Sequence, residues 1–302
     1  MIPLRDENPT SRTAVVTLAI IILNVLAFLV WEPTFGGDQR QQTFFFCNAA
    51  IPYEVIHHTN LAQGGSSAAR ALDEANFTDQ NGNHIPGRQV QDFLARRCPH
   101  KSWLFSIFAA MFLHAGWLHI GGNMLFLWVF GNNIEDRLRA IPYLLFYLAS
   151  GLIATATQFA LVHTGQNAIL PNLGASGAVA GVLGAYLLMF PRRRVLTLVF
   201  FFLITVVYLP AFVVLGAWFV LQFFNGVFAL SGRVNAGGGV AVWAHIGGFL
   251  FGALLAILFF PKERFGGRPP PPRPDMFGRS GWGWGGRRGP GWWGRGWRRR
   301  PV

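Results

Sequence analysis

Residues 240–260 read VAVWAHIGGFLFGALLAILFF, a stretch without a single Asp, Glu, Lys or Arg. As a helix rising 1.5 Å per residue it reaches about 31 Å, the thickness of a bilayer's hydrocarbon core. One ionisable group, His245, stands near its start, where such a group is costly and therefore points to a role. Similar apolar runs cover 14–31, 103–130, 141–162, 170–190 and 195–230. The whole chain agrees with them. Of its 302 residues 52% are hydrophobic and 13% charged, against about 25% charged in soluble domains. That balance excludes a water-soluble globule, and 29 Phe with 11 Trp exclude a wholly disordered chain. The expected class is an all-α polytopic membrane protein.

The first run follows Arg5 and Arg12 like a secretion signal, but Trp31-Glu32-Pro33 offers no small-residue cleavage site. It reads as a retained span. The run 195–230 is too long for one straight crossing, and Pro210 divides it. Charge chooses between one crossing and two. With one crossing there are six spans, and 18 of the 25 basic residues share a side with both termini, which the positive-inside rule makes cytoplasmic. Residues 195–209 are then expected to be an apolar loop or half-buried connector. The bundle is expected over 13–262, after a cytoplasmic N-terminus at 1–12. A bacterial plasma membrane is the default setting, because no organelle transit peptide is visible.

One long external loop, 32–102, is rich in Gln, Asn, Gly and Ser. Loops of this length are usually functional or disordered. It holds both cysteines, Cys47 and Cys98, and an even pair in an oxidising compartment suggests a disulfide, free thiols being the alternative. No metal-ligand spacing links them to His57, His58, His84 or His100, so no metal is expected. The net charge of +12 is concentrated near the end, where residues 261–302 hold eleven basic residues against two acids and so carry +9. The Gly/Arg/Pro/Trp-rich tail 263–302 is expected to be disordered, with an anionic lipid surface as its partner rather than a specific nucleic acid.

No Asp or Glu lies within a span, which excludes a paired-aspartate membrane protease and weakens a proton-coupled transporter. The absence of HExxH excludes a zinc protease of that type. The polar groups that remain are His114, His119 and Asn123 in the second run, Ser176 in the fourth and His245 in the sixth. Ser176 and His245 lie about 8–10 Å below the same face. His119 and Asn123, four apart, share one helical face in the outer or middle part of their run. A serine hydroxyl needs a base, usually His, and a tetrahedral oxyanion needs preorganised donors such as Asn, His and backbone N–H groups. Gly174 and Gly177 flank the serine with little bulk near a helix start. A structural reading competes, since small residues such as Gly177, Gly248 and Gly252 mediate helix packing and a membrane serine often bonds its own helix. His114, nine residues from Asn123, falls on the opposite helical side and is assigned a structural hydrogen-bonding role.

Three motifs together, His114-Ala-Gly-Trp-Leu-His119-Ile-Gly-Gly-Asn123, Gly174-Ala-Ser176-Gly177 and Ala244-His245-Ile-Gly-Gly248-Phe-Leu-Phe-Gly252, resemble the rhomboid family of intramembrane serine proteases. Residues 131–138, with Glu135 and Arg137, are similar to the family's Gly/Glu/Arg element; Arg139 stands where the family often has Gly. The resemblance implies a six-transmembrane-helix bundle, with Ser176 as nucleophile and His245 as general base and acid. His119, Asn123 and the Ser176 N–H would hold the oxyanion. It further implies transmembrane protein substrates with one span, cut near the outer membrane face, and no cofactor. A channel would need polar residues along a whole crossing, and an inactive relative would be expected to lack the Ser or the His.

Overall fold

In the computed structural model the described residues are 1–79, 81–201, 203–230 and 241–260. The chain opens with strand β1 (Ile2–Asp6), then helix α1 (Val15–Leu26), continued by a π-helical turn over Ala27–Trp31. Helices α2 (Asp38–Asn48), α3 (Pro52–Ile56), α4 (Gly65–Glu74) and α5 (Gly87–Arg97) follow. The run 103–130 is broken into α6 (Trp103–Ala110) and the start of α7 (Trp117–Leu138). Next come α8 (Ala140–Leu161), a 3₁₀ turn at Gly165–Ile169, α9 (Ser176–Met189), strands β2 (Arg194–Phe201) and β3 (Leu203–Pro210), α10 (Ala211–Leu230) and α11 (Val242–Phe259). By length and composition α8, α10 and α11 are able to cross a membrane; α1 with its π turn and α9 are shorter apolar helices.

Two expectations need correcting. The protein is not all-α: β2 and β3 form an antiparallel hairpin, and β1 adds to β2 in the order β1-β2-β3. The stretch 195–209, expected as a loop or connector, supplies most of β2 and β3. They are dense in β-branched and aromatic side chains, which suit a pleated ladder, and the ladder pairs backbone groups that an apolar loop would leave bare. The long polar loop, in turn, folds into four helices around Ile51, Tyr53, Leu61, Leu72 and Leu94, joined by Ile169 of the 3₁₀ turn. Its helices draw stability from this small core rather than from a long apolar stripe. Cys47 and Cys98 are disulfide-bonded there. Lys101 and Glu54 form a buried ion pair 2.6 Å apart; burial raises the Glu54 carboxyl and lowers the Lys101 ammonium, each opposed by its partner's charge. The tail 263–302, expected to be disordered, falls outside the described residues.

The bundle core centres on α9, where Gly177 through Tyr186 are all buried. A Cβ on Gly248 would strike the Gly177 carbonyl, and one on Gly252 the Gly181 carbonyl. Small residues therefore let α9 and α11 approach backbone to backbone.

Far from Ser176, at the other end of α7 and α9, polar groups are closely paired. The Glu135 carboxylate accepts from the Val16 and Thr17 amides at 2.9 and 2.7 Å and from Thr17 Oγ1 at 2.8 Å. It thereby caps the positive end of α1. Asp136 accepts from the Ser11 amide and hydroxyl. Asp6 accepts from Tyr186 Oη and Asn133 Nδ2, both at 2.7 Å, although burial lifts its carboxyl to about 6. The Arg137 guanidinium lies 5.4 Å from the Phe190 ring centre. Arg139 links α7 to α8 at φ 70° and ψ 166°, a region that glycine occupies freely and other residues at a cost.

Candidate active site

Three helix starts bring the sequence-selected residues together. Ser176 opens α9, His245 lies in the first turn of α11, and His119 in the first turn of α7. Backbone bonds fix the segment before the serine: Gly174 N–H donates to Ala110 O at 2.8 Å, and Asn172 N–H to Ala50 O at 2.7 Å. Gly174 is required twice. Its φ is +121°, and a Cβ there would stand 2.7 Å from His119 Nε2 and 3.6 Å from Ser176 Oγ.

Ser176 Oγ and His245 Nε2 are 2.8 Å apart. The other ring nitrogen of His245, Nδ1, lies 3.0 Å from Gln222 Oε1 of α10, and the Trp218 ring packs 5.8 Å from the imidazole. His245 is 8% exposed, and the start of its helix is held by Gln158 of α8, whose Oε1 accepts from the Ala244 amide at 3.2 Å. His119 Nδ1 accepts from the Ala115 amide at 3.3 Å; in the neutral ring this leaves Nε2 as a donor, the nitrogen that faces Gly174. Asn123 is buried one turn further on, and its Nδ2 makes no hydrogen bond. A hydroxyl paired with an imidazole is suited to nucleophilic attack on a carbonyl, and unspent donors such as Asn123 Nδ2 and His119 Nε2, one turn apart on α7, are of the kind that holds an oxyanion.

His114 departs from expectation. The chain leaves α6 at Ala110 and re-enters helix at Trp117, so counting turns from His114 to Asn123 does not apply. Its ring instead packs edge-on against His119, centroids 5.0 Å apart. Its backbone N–H donates to Glu32 Oε1 at 2.9 Å, while its buried ring makes no side-chain hydrogen bond. Glu32 is itself buried just past the first apolar helix, which pushes its carboxyl up to about 7. Gln222 and Gln158 were missed by the sequence reading. Each is an amide inside an apolar run, the signal that selected Asn123.

The rhomboid domain model matches residues 101–262, more than half of the chain. The chain belongs to the rhomboid family. It is 30% identical to Rhomboid protein 1, mitochondrial, of Saccharomyces cerevisiae over 174 residues, 55% of this chain and 45% of that protein. It is 30% identical to the Presenilin-associated rhomboid-like protein, mitochondrial, of Bos taurus over 148 residues, 47% and 34% of the two chains. RHOMBOID-like protein 1 of Arabidopsis thaliana is 27% identical over 168 residues, 55% and 37%. The matches thus span less than half the length of these rhomboid relatives. Two of the three are mitochondrial proteins by name, which overturns the expectation of a bacterial plasma membrane with cytoplasmic termini. That expectation rested on a missing transit signal, a weaker ground than kinship.

Proposed function

We propose that this chain is a rhomboid-type intramembrane serine endopeptidase, acting on single-span membrane proteins and set, as two relatives are by name, in a mitochondrial membrane. The observation that carries the reading is the 2.8 Å approach of Ser176 Oγ to His245 Nε2. As Oγ attacks the scissile carbonyl carbon, Nε2 takes the hydroxyl proton. Asn123 Nδ2, His119 Nε2–H and the Ser176 N–H receive the developing negative charge. His245 then gives the proton to the leaving amine, and a water activated by the same ring releases the acyl group. The substrate helix unwinds locally before attack, because a helical peptide bond is hydrogen-bonded and shielded; small or helix-breaking residues at the cut lower that cost. The basic tail suits an anionic lipid surface.

The test is labelling of the purified protein with a fluorescent fluorophosphonate, alongside cleavage of a single-span reporter in liposomes. Ser176→Ala should abolish both while the bundle stays folded. Cleavage retained by that variant would remove Ser176 from the nucleophile's role.

A further inference from the structure

Within the dyad reading, on which this inference rests, the geometry points to Gln222 as the residue that orients the base: we infer that its Oε1 accepts a hydrogen bond from Nδ1–H of His245 and so keeps Nε2 free for Ser176. A neutral imidazole carries one proton on one of two nitrogens, and only the bare nitrogen takes a proton from serine. The 3.0 Å contact at Nδ1 and the 2.8 Å contact at Nε2 occupy opposite edges of one ring. An amide oxygen at Nδ1 selects the tautomer the chemistry needs. It also stabilises the imidazolium that forms when the serine proton arrives, as a third group does in other serine hydrolases.

Gln222 stands one helical turn after Trp218, and α10 therefore offers the imidazole both an acceptor at its edge and an indole beside it. The role falls to a neutral amide. Among the described residues, the other titratable side chain at this site is His119 of α7, whose Nε2 faces Gly174 beside Ser176. From α8 the neutral Gln158 reaches the neighbouring Ala244, from α9 comes Ser176, and from α10 come Gln222 and Trp218. An amide oxygen accepts a hydrogen bond without adding a charge to a buried site. It also leaves the base more easily deprotonated than a carboxylate would. Gln222 is a positioning residue: it touches His245, not the substrate.

The test compares Gln222→Met, which keeps the length and removes the acceptor, with Gln222→Glu, which keeps an acceptor and adds a charge. Both are read in liposomes as kcat, KM and the pH dependence of kcat/KM. Gln222→Met should lower kcat on the order of 10- to 100-fold with KM unchanged, a share of the about 10²- to 10⁴-fold that a positioned base supplies. Gln222→Glu should retain turnover and move the acid limb upward by about one to three pH units, because a carboxylate within 4–6 Å favours the imidazolium. A Gln222 side chain turned away from His245 would not move that limb. Wild-type kcat in Gln222→Met, or an unmoved limb in Gln222→Glu, overturns the inference while leaving the dyad intact. Should Gln222→Met fail to fold, the limb in Gln222→Glu still decides. Wild-type protein without Ser176-dependent cleavage or labelling would instead overturn the dyad itself, and with it the base that Gln222 orients.

Discussion

The carboxylates at one end of the bundle and the amide, indole and imidazole groups at the other are partnered in opposite ways. At the sheet end, Glu135 accepts three hydrogen bonds, Asp136 two, and Asp6 joins Asn133 to Tyr186. At the other end Asn123 Nδ2, Glu32 Oε2 and Trp243 Nε1 are buried without partners, and the buried His114 ring makes no side-chain hydrogen bond. An unmade buried hydrogen bond costs about 1–3 kcal/mol, so a fold keeps such groups where something else is gained. Satisfied groups hold helices in register; unsatisfied ones are donors and acceptors held in readiness. The difference is between side chains whose hydrogen bonds are spent on holding the fold and side chains whose hydrogen-bonding atoms are not spent.

Breaking the sheet end should therefore cost stability and leave chemistry alone. Glu135→Ala strips α1 of its cap and leaves buried donors bare, and should lower unfolding stability by about 3 kcal/mol or more. The measurement is the thermal midpoint in detergent, together with the rate per folded molecule, which should not change. A rate that falls with stability untouched would erase the distinction between the ends.

Asn123→Ala is the reverse experiment. It should reduce kcat on the order of 10²-fold, the usual effect of one lost oxyanion donor, and hold the thermal midpoint or raise it, since an unpartnered buried amide is removed. Single-turnover cleavage of a reporter checks the first part and a melting curve the second. An unchanged rate would take Asn123 out of the oxyanion site.

The smallest effect expected is at Arg139. Its backbone, at φ 70° and ψ 166°, carries a cost of about 1–3 kcal/mol that glycine does not bear. Part of that gain is offset by glycine's freedom in the unfolded chain, worth about 0.4–1 kcal/mol. Arg139→Gly should stabilise the protein by about 1 kcal/mol without altering the rate, and a lower melting midpoint would mean that the arginine side chain supplies more than its backbone costs.

The sequence made some of this legible and concealed the rest for physical reasons. Ser176, His245, His119 and Asn123 stood out because a polar side chain within an apolar run is costly unless it has work to do there, and helical rise then sets their depth. The same rule applied to Gln222 would have marked the partner of His245 Nδ1. The hairpin was hidden because 195–209 is apolar on both faces and so lacks the alternation that betrays a half-exposed strand; its β-branched and aromatic content was the remaining clue. The loop helices were hidden by composition, since Gly, Gln and Ser describe a flexible segment unless the small core around Leu72 and Leu94 is already known. His114 shows a different failure, in which helical arithmetic was carried across a turn at 111–116 that apolar character alone does not reveal.

The cap on α1 also sets an order of events during synthesis. Thr17 and the carboxylate that receives its amide are 118 residues apart in the chain. At about 5–20 residues per second, the ribosome needs roughly 6 to 24 s to deliver Glu135 after Thr17 has been made. For that interval the leading turn of the first helix holds bare N–H groups, supported only by water or lipid headgroups at the membrane surface. Helix α1 is thus finished only after the end of α7 arrives, so an early element of the bundle is completed by a later one.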